Sequence, residues 1–404
     1  MTRPTMTRPT WLQGFPSVLF RLRGFYLLTG LAGGLLNPYI STIFIDQGLN
    51  RDRVGMIMAV SSFLVIAAQL FWGRMADKYR MTKLILILSL GVPAIAALLF
   101  QLPSVTLMIM SYMIYIAFTA PLAPVSDAYA VTAAYAAGSS YGTIRCFQSI
   151  GNAFGGYIAG SFVAAYAPKY LGIPFLLFTV IGILIILGFP KQSEVKVKTK
   201  SFSGGLSGLL NNKTVLLFLL ACLLINQTLT AFNTYFVVVF QMAGGSYQWS
   251  GIALMIAAFS NVPSMFLSAY IIRLFGVEKT MLLGALAYIL RWGIQFMFPV
   301  PSVMVGVQVL QGLSFGLLYV TAVEFMVRIV PEELRTTGQS ILSIVFSGLA
   351  GMLGNLLNGY LLEAGGPSAM NLACTISAAL GALLLLVITR TQKGTMTDAE
   401  QSPS

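Results

Sequence analysis

The amino-acid sequence predicts an all-α integral membrane protein with 12 transmembrane helices in two pseudo-symmetric groups of six. Of the 404 residues, 57% are hydrophobic and only 9% are charged, whereas soluble domains are roughly half apolar and about a quarter charged. Apolar stretches of about 20 residues, long enough to cross about 30 Å of hydrocarbon, recur along the whole chain. Features of the first half return in the second half, which indicates a duplicated unit.

Each apolar stretch is predicted to be a helix, because a helix hydrogen-bonds its own backbone in lipid. The predicted spans are 17–43, 54–72, 83–101, 104–131, 141–166, 171–189, 214–242, 248–272, 279–299, 303–329, 338–362 and 368–389. A basic, polar linker at 190–213 separates two six-helix bundles at 17–189 and 214–389. A short segment at 1–16 precedes them and a tail at 390–404 follows, and no cleavable signal peptide is expected.

Matching residues recur at a nearly constant separation in the two halves. The corresponding pairs are Gly55 and Gly251, Lys83 and Lys279, Asp127 and Glu324, and Gly142 and Gly338. A parallel repeat of six helices is typical of transporters that move one bundle against the other.

Positive charge is unevenly distributed along the chain. The 24 Lys and Arg residues exceed the 12 Asp and Glu residues and give a net charge of +12. Only Arg51, Arg53 and Lys169 fall on the predicted outer side, while Arg145 and Arg291 lie within spans. This positive-inside pattern predicts cytoplasmic termini and a multi-pass protein of the inner (plasma) membrane. It also accounts for the basic charge without a nucleic-acid partner.

The residues that common enzyme and metal sites need are missing from the sequence. The chain has no histidine, and its three cysteines lie inside predicted spans, where they suit an apolar core. The sequence has neither a phosphate-binding Gly-Lys-(Ser/Thr) loop nor a Gly-x-Ser-x-Gly nucleophile motif. We therefore expect no enzyme activity, no metal and no cofactor.

Two charged residues in adjacent spans are the first candidates for function. A charge at mid-membrane costs about 2.5–3.5 kcal/mol on insertion scales. Asp127 in the fourth span and Arg145 in the fifth could meet at similar depth, because the two spans run in opposite directions. The pair would lower the insertion cost, and it is either a purely structural ion pair or a site where the charge is switched.

Further polar residues in the spans are candidates for binding a small organic substrate. With Arg145 they are Asn37, Gln148, Asn152, Asn226, Gln227, Asn233, Asn261, Arg291, Gln311 and Tyr319. Amides and phenols suit a polar organic solute better than a bare ion, although each one alone fits a helix–helix hydrogen bond equally well. Arg291 has no partner on its own helix, so we expect a partner from another helix or an anionic group of the solute. Glu324 is a second candidate proton site, or else it forms a local i, i+4 bridge with Arg328.

Two features predict local backbone geometry. Asn37 and Pro38 are expected to interrupt the first span. A row of glycines on the fifth span predicts close packing against neighbouring helices. These glycines are Gly151, Gly155, Gly156 and Gly160.

A dense charge cluster joins the second and third predicted spans. Residues 73–83 read Gly-Arg-Met-Ala-Asp-Lys-Tyr-Arg-Met-Thr-Lys. This order resembles the loop 2–3 motif of the major facilitator superfamily, with Arg80 where the motif usually has glycine. The resemblance implies a conformational-gating loop formed by Gly73, Arg74, Asp77, Lys78 and Arg80. The alternative is a plain positive-inside anchor.

Three other stretches resemble one branch of that superfamily, the phenylpropionate permease-like group related to lactose permease and nucleoside/proton symporters. They are residues 121–128 (Pro-Leu-Ala-Pro-Val-Ser-Asp-Ala), residues 141–151, which contain Tyr-Gly-Thr-Ile-Arg and Ser-Ile-Gly, and residues 291–294 (Arg-Trp-Gly-Ile). The resemblance implies a proton-coupled symporter with Asp127 and Arg145 at its substrate or coupling centre. Ala258 replaces the span-eight carboxylate of lactose permease, so galactosides are not the expected solute.

The expected function is alternating-access import of a small polar or aromatic organic solute together with a proton, which is carried by Asp127 or Glu324. One polypeptide supplies both halves, so a monomer in the lipid bilayer should suffice. The main alternative is a proton-antiport exporter of drugs or metabolites. A non-transporting membrane sensor is disfavoured, because the chain has no large soluble segment that could signal.

Overall fold

The computed structural model describes residues 15–79, 81–136, 141–189, 212–331 and 334–400. Within these ranges all regular secondary structure is helical, which confirms the predicted all-α class. The predicted N-terminal segment and the linker lie almost wholly outside the described residues, and the last helix continues to Glu400.

The helices follow the order of the predicted spans. The first half contains α1 (Phe15–Leu36), α2 (Ile40–Asp46), α3 (Arg51–Tyr79), α4 (Thr82–Leu98), α5 (Val105–Thr119), α6 (Leu122–Ala136), α7 (Gly142–Ala165) and α8 (Gly172–Leu187). The second half contains α9 (Lys213–Asn226), α10 (Leu229–Asn233), α11 (Phe236–Met242), α12 (Tyr247–Phe275), α13 (Val277–Met297), α14 (Pro301–Gly306), α15 (Leu317–Ile329), α16 (Arg335–Ser343) and α17 (Ala350–Glu400).

Side-chain caps fix where three of these helices begin. The Asn212 side chain accepts hydrogen bonds from the N–H groups of Thr214 and Val215 at the start of α9. Ser104 and Ser246 accept from backbone N–H groups at the starts of α5 and α12 in the same way. Each cap satisfies a backbone donor that the first turn of a helix leaves unpaired.

Ten helical segments of the described chain are long and apolar enough to cross a membrane. The last, Gly338–Arg390, has 53 residues and would be about 80 Å long if it were straight. Gly366, with a φ of 67°, and Pro367 interrupt it, so its length suits two spans. The 24-residue helix α7 is not among the ten and carries Arg145, Gln148 and Asn152. The number 12 therefore remains a prediction.

Several helices depart from regular α geometry inside their spans. The expected interruption at Asn37 and Pro38 is confirmed by a 3₁₀ turn at Asn37–Tyr39 between α1 and α2. The tenth predicted span has a 3₁₀ turn at Val307–Val309 and a π-helical segment at Gly312–Gly316. A second π-helical segment, Ile344–Leu349, lies between α16 and α17. Such segments frequently occur at functional sites.

Polar side chains of neighbouring helices satisfy the backbone at these irregular segments. The N–H of Gly312 donates to Ser260 Oγ at 2.9 Å, and the Ser260 hydroxyl donates to the Gln308 carbonyl at 3.4 Å. Asn226 Nδ2 donates to the Phe346 carbonyl at 2.5 Å. In lipid these partners are needed, because water does not reach the exposed backbone groups.

The described residues form two compact units. The first comprises residues up to Leu36, Leu64–Gly155 and the residues from Lys169 to the end of α8; the second comprises Asn37–Phe63, Gly156–Pro168 and the described residues from 212 onward. The segments Asn37–Phe63 and Gly156–Pro168 lie in the predicted N-terminal bundle, yet they belong to the second unit. The two units therefore do not coincide with the two predicted bundles. The predicted bundles stay a prediction.

In the first unit, α1 and α7 pack with their backbones nearly in contact. A Cβ atom built on Gly151 would lie 2.2 Å from the Leu27 carbonyl oxygen, and one on Gly155 would lie 2.3 Å from the Leu31 oxygen. From the other side, a Cβ on Gly30 would lie 2.3 Å from the Gln148 oxygen. The predicted close packing along the glycine row is therefore confirmed.

In the second unit, glycines bring the start of α3 and the end of α7 against later helices. A Cβ on Gly55 would lie 2.7 Å from the Asn355 carbonyl oxygen, and one on Gly160 would lie 2.8 Å from the Cα of Gly251. Arg51 Nη1 lies 3.5 Å from Glu363 Oε2 beside the first of these contacts. Both contacts need a residue without a side chain.

We expect Gly151→Ala to destabilise the protein, because its methyl group would overlap the Leu27 carbonyl oxygen. Overpacking of this kind costs about 1–3 kcal/mol. The measurement is thermal unfolding of the purified full chain in detergent.

The matched control is Gly306→Ala, whose added methyl group meets no heavy atom within 4 Å. It should leave the melting temperature unchanged or raise it slightly, because alanine is the better helix former. Equal melting temperatures for the two variants would contradict the close packing of α1 and α7.

Candidate functional site

Asp127 and Arg145 form the predicted pair in the first unit. Arg145 Nη1 lies 3.7 Å from Asp127 Oδ1, and the two side chains are 42% and 31% exposed. The hydroxyl of Tyr26 donates to the same Asp127 oxygen at 2.7 Å. Asp127 Oδ1 therefore has two partners, which come from different helices.

Local structure positions the two charged side chains of this pair. Pro121 precedes α6, and its carbonyl accepts from the Val125 N–H, so Asp127 lies in the second turn. The Tyr141 carbonyl accepts from the Arg145 N–H at 2.9 Å, which places Arg145 in the first turn of α7. Both charged residues therefore lie near the starts of consecutive helices.

The polar face of α7 continues from Arg145 along the helix. Gln148 and Asn152 follow at intervals of three and four residues, which places them on the same face. Asn152 is exposed, and Gln148 Oε1 is buried with no hydrogen-bond partner among the described residues. Both remain predicted substrate-binding residues.

In the second unit, two asparagine amides present oxygens that are not hydrogen-bonded. Asn226 Nδ2 donates to the Phe346 carbonyl and Asn261 Nδ2 donates to the Ala257 carbonyl at 3.2 Å. These bonds fix the orientation of both amides, because a carbonyl needs a donor. Asn226 Oδ1 and Asn261 Oδ1 then have no partner within the described part of the chain. Gln227 Oε1 is buried and unpaired in the same way.

Aromatic rings lie next to these amides. Tyr319 is 43% exposed; its ring stacks on Phe315 at 5.7 Å and meets the edge of Phe346 at 5.8 Å. A Cβ on Gly316 would lie 3.6 Å from Asn261 Oδ1, so that amide faces the turn before Tyr319. We refer to the group Asn226, Asn261, Tyr319 and Phe346 as the amide–aromatic patch.

The predicted cross-helix partners of Arg291 are amides and aromatic rings. Arg291 is fully buried; its Nη1 donates to Gln311 Oε1 and its Nη2 donates to Gln308 Oε1 at 2.6 Å. The guanidinium also lies over the Phe232 ring at 4.5 Å and the Trp292 ring at 5.2 Å. No carboxylate of the described residues pairs with it. A direct role of Arg291 in binding the solute remains a prediction.

The remaining candidate residues are Glu324, Asn37 and Asn233. Glu324 pairs with Arg328 one turn later at 3.3 Å, and both are 48% exposed, as the alternative interpretation predicted. Asn37 is exposed in the 3₁₀ turn, and Asn233 is exposed at the end of α10.

The predicted gating loop requires a correction. Gly73, Arg74, Asp77 and Lys78 are part of α3, which runs to Tyr79. Nothing in residues 73–79 stops a helix, since most of them have good helix propensity. Arg80 lies outside the described residues. Most of the predicted loop is therefore helical, and its gating role stays a prediction.

Tyr26 is the functional candidate that sequence reasoning missed. In the sequence it stands between Phe25 and Leu27 and resembles an ordinary interfacial aromatic residue. A usable signal was its hydroxyl, since a buried tyrosine within a span usually needs a hydrogen-bond acceptor.

Comparison with known proteins identifies the family. The chain matches the model of the MFS_1 like family over residues 19–372. Maltose permease of Geobacillus stearothermophilus is 28% identical over 373 residues, which cover 91% of this chain and 94% of that protein. The putative nucleoside transporter YegT of Escherichia coli is 25% identical over 229 residues, covering 52% of this chain and 53% of YegT.

Solved structures show the same fold. A mutant of the nucleoside transporter NupG matches with a TM-score of 0.78 at 18% identity, covering 92% of this chain and 99% of that one. The peptide transporter POT, in a mutant form with alafosfalin, matches with a TM-score of 0.72 at 12% identity, covering 95% and 98%. These relatives are transporters rather than enzymes, and the chain is a membrane transporter that belongs to the MFS_1 like family of the major facilitator superfamily.

Proposed function

We propose that this transporter imports a small, neutral, polar organic solute together with a proton by alternating access. The observation that carries the proposal is the partly exposed Asp127–Arg145 pair, which joins α6 and α7. We further propose that it works as a monomer in the inner membrane with both termini in the cytoplasm. Sugars and nucleosides are the first candidate solutes, since similar proteins are named as a maltose permease and as nucleoside transporters.

The pair gives a physical link between the proton and the solute. While Asp127 is ionised, it neutralises Arg145 and the pair carries no net charge. Protonation of Asp127 removes this attraction, so that Arg145 becomes available to hydrogen-bond a solute oxygen. Loss of the proton restores the pair and competes with the solute. Proton binding and solute binding would therefore favour each other.

The amide–aromatic patch supports a neutral solute that is rich in O–H or N–H groups. Asn226 Oδ1 and Asn261 Oδ1 are acceptors without donors among the described residues. The exposed Tyr319 ring offers an apolar face for a sugar ring or a nucleobase. Arg291, the other cation of the spans, is already occupied by Gln308 and Gln311. We propose that Arg291 orients Gln311 rather than attracting an anion.

The test of symport is pH recording in lightly buffered, right-side-out vesicles that carry the protein. Maltose, uridine, an aromatic acid and a cationic drug are added in turn. We expect alkalinisation of the outer medium with a sugar or a nucleoside, because each solute molecule enters with a proton. Acidification would replace the proposal by proton antiport, and the absence of a pH change with every solute would overturn proton coupling.

Asp127→Asn should abolish uphill accumulation but leave counterflow exchange at least partly intact, because the variant binds no proton and can still change conformation. The comparison variant is Glu324→Gln, which removes the second candidate carboxylate and should retain accumulation. Both are measured as radiolabelled uptake driven by an imposed pH gradient. Unimpaired accumulation by Asp127→Asn, or its loss only in Glu324→Gln, would contradict the assignment.

Asn261→Leu should raise the KM for the transported solute about tenfold, because one hydrogen bond to a buried acceptor is worth about 1.5 kcal/mol. Gln69→Leu is a matched control, since Gln69 also donates to a backbone carbonyl within a span but lies outside the patch. Initial rates of uptake give KM, and thermal unfolding checks that both variants are folded. An equal KM for the two variants would exclude Asn261 from the solute site.

A further inference from the structure

Tyr26 is held rigidly inside the first unit. Its side chain is only 1% exposed and belongs to a core that also contains Leu22 and Ile144. The ring of Phe25 meets it edge-on at a centroid distance of 5.7 Å. Because the core fixes the ring, the core also fixes the position of the Tyr26 hydroxyl.

The two partners of Asp127 Oδ1 differ in distance and in burial. The Tyr26 hydroxyl is 2.7 Å away and buried, whereas Arg145 Nη1 is 3.7 Å away on a side chain that is 42% exposed. A hydroxyl that donates to a carboxylate forms one of the stronger classes of hydrogen bond. The closer and more deeply buried partner of the carboxylate is therefore the phenol.

We propose that Tyr26 is a positioning residue that holds the Asp127 carboxylate in place beside Arg145, and that it thereby sets the pH at which the carrier takes up its proton. The inference rests on the proposed function, in which Asp127 carries the proton. Without the Tyr26 hydroxyl, the Asp127 carboxylate would have one hydrogen-bond donor fewer, and its protonation would become easier.

Tyr141, Arg23 and Lys83 are further titratable groups of the first unit. Tyr141, the residue before α7, interacts electrostatically with Asp127. Arg23 of α1 lies over the Phe147 ring at 5.9 Å, and Lys83 of α4 donates to the Leu187 carbonyl at 2.7 Å. Among the described charged groups, Arg145 is the one that pairs with Asp127.

The test compares Tyr26→Phe with the unmodified full-length transporter in proteoliposomes, with maltose and uridine as the solutes. Uptake is recorded from pH 5 to 9. Removing one donor to the carboxylate should move the midpoint of the pH profile upward by about one pH unit. Counterflow exchange should persist at the pH of maximal activity. The double variant Tyr26→Phe/Asp127→Asn should show no accumulation at any pH.

Tyr39→Phe is the matched control. Tyr39 is also buried, and its hydroxyl pairs with Ser250 at 3.3 Å instead of with Asp127. The same shift in this control would overturn the inference. As a second variant that keeps the size of the side chain, 3-fluorotyrosine at position 26 is a stronger donor and should move the midpoint downward. If Tyr26→Phe does not fold, the fluorotyrosine variant still tests whether the Tyr26 hydroxyl sets the midpoint of the pH profile.

The outcomes distinguish a failure of the Tyr26 inference from a failure of the proposed function. If Asp127→Asn still accumulates solute, the proposed function fails. If Asp127→Asn does not accumulate solute but neither change at position 26 moves the pH profile, the function stands and the role of Tyr26 is wrong. Opposite shifts with phenylalanine and fluorotyrosine would support it.

Discussion

In hydrocarbon there is no water to hydrogen-bond a polar group, so each buried donor, acceptor or charge depends on a partner supplied by the protein. Asp127 finds Tyr26 and Arg145, and Arg291 finds Gln308 and Gln311. The same requirement applies to the irregular helices. There, side chains of other helices hydrogen-bond the backbone N–H and C=O groups of the π-helical and 3₁₀ segments that have no partner within their own helix. The polar residues of the spans are therefore largely explained by which groups they satisfy.

The exceptions are informative, because they separate structural from functional candidates. The amide of Asn358 donates to Thr230 Oγ1 at 2.7 Å and serves packing between helices. Asn226 and Asn261 each use the amide nitrogen on a carbonyl and leave the oxygen unpaired within the described residues. A membrane protein gains nothing in stability from an unpaired buried acceptor. In the proposed function, these two acceptors bind donor groups of the solute.

Close helix packing is the second physical theme, and glycine makes it possible. The row on α7 meets α1 through Gly151 and Gly155, and it meets α12 through Gly160. Van der Waals contact over such short distances replaces the hydrophobic drive that lipid cannot provide. The charged pair on α6 and α7 therefore lies beside a tightly packed helix interface. Rigidity at this interface allows Tyr26 of α1 to reach Asp127 at a fixed distance.

The sequence by itself determined the all-α membrane class, because long apolar stretches can satisfy their backbone in lipid only as helices. It also located the interruption at Asn37, the close packing of the glycine row, and the Asp127–Arg145 pair, since each depends on local chemistry or on consecutive helices. Only the tertiary structure decided that Tyr26 completes this pair, that amides hold Arg291, and that α3 continues to Tyr79. Contacts between distant segments depend on how each helix is rotated about its axis and how neighbouring helices pack, and no local sequence pattern specifies either.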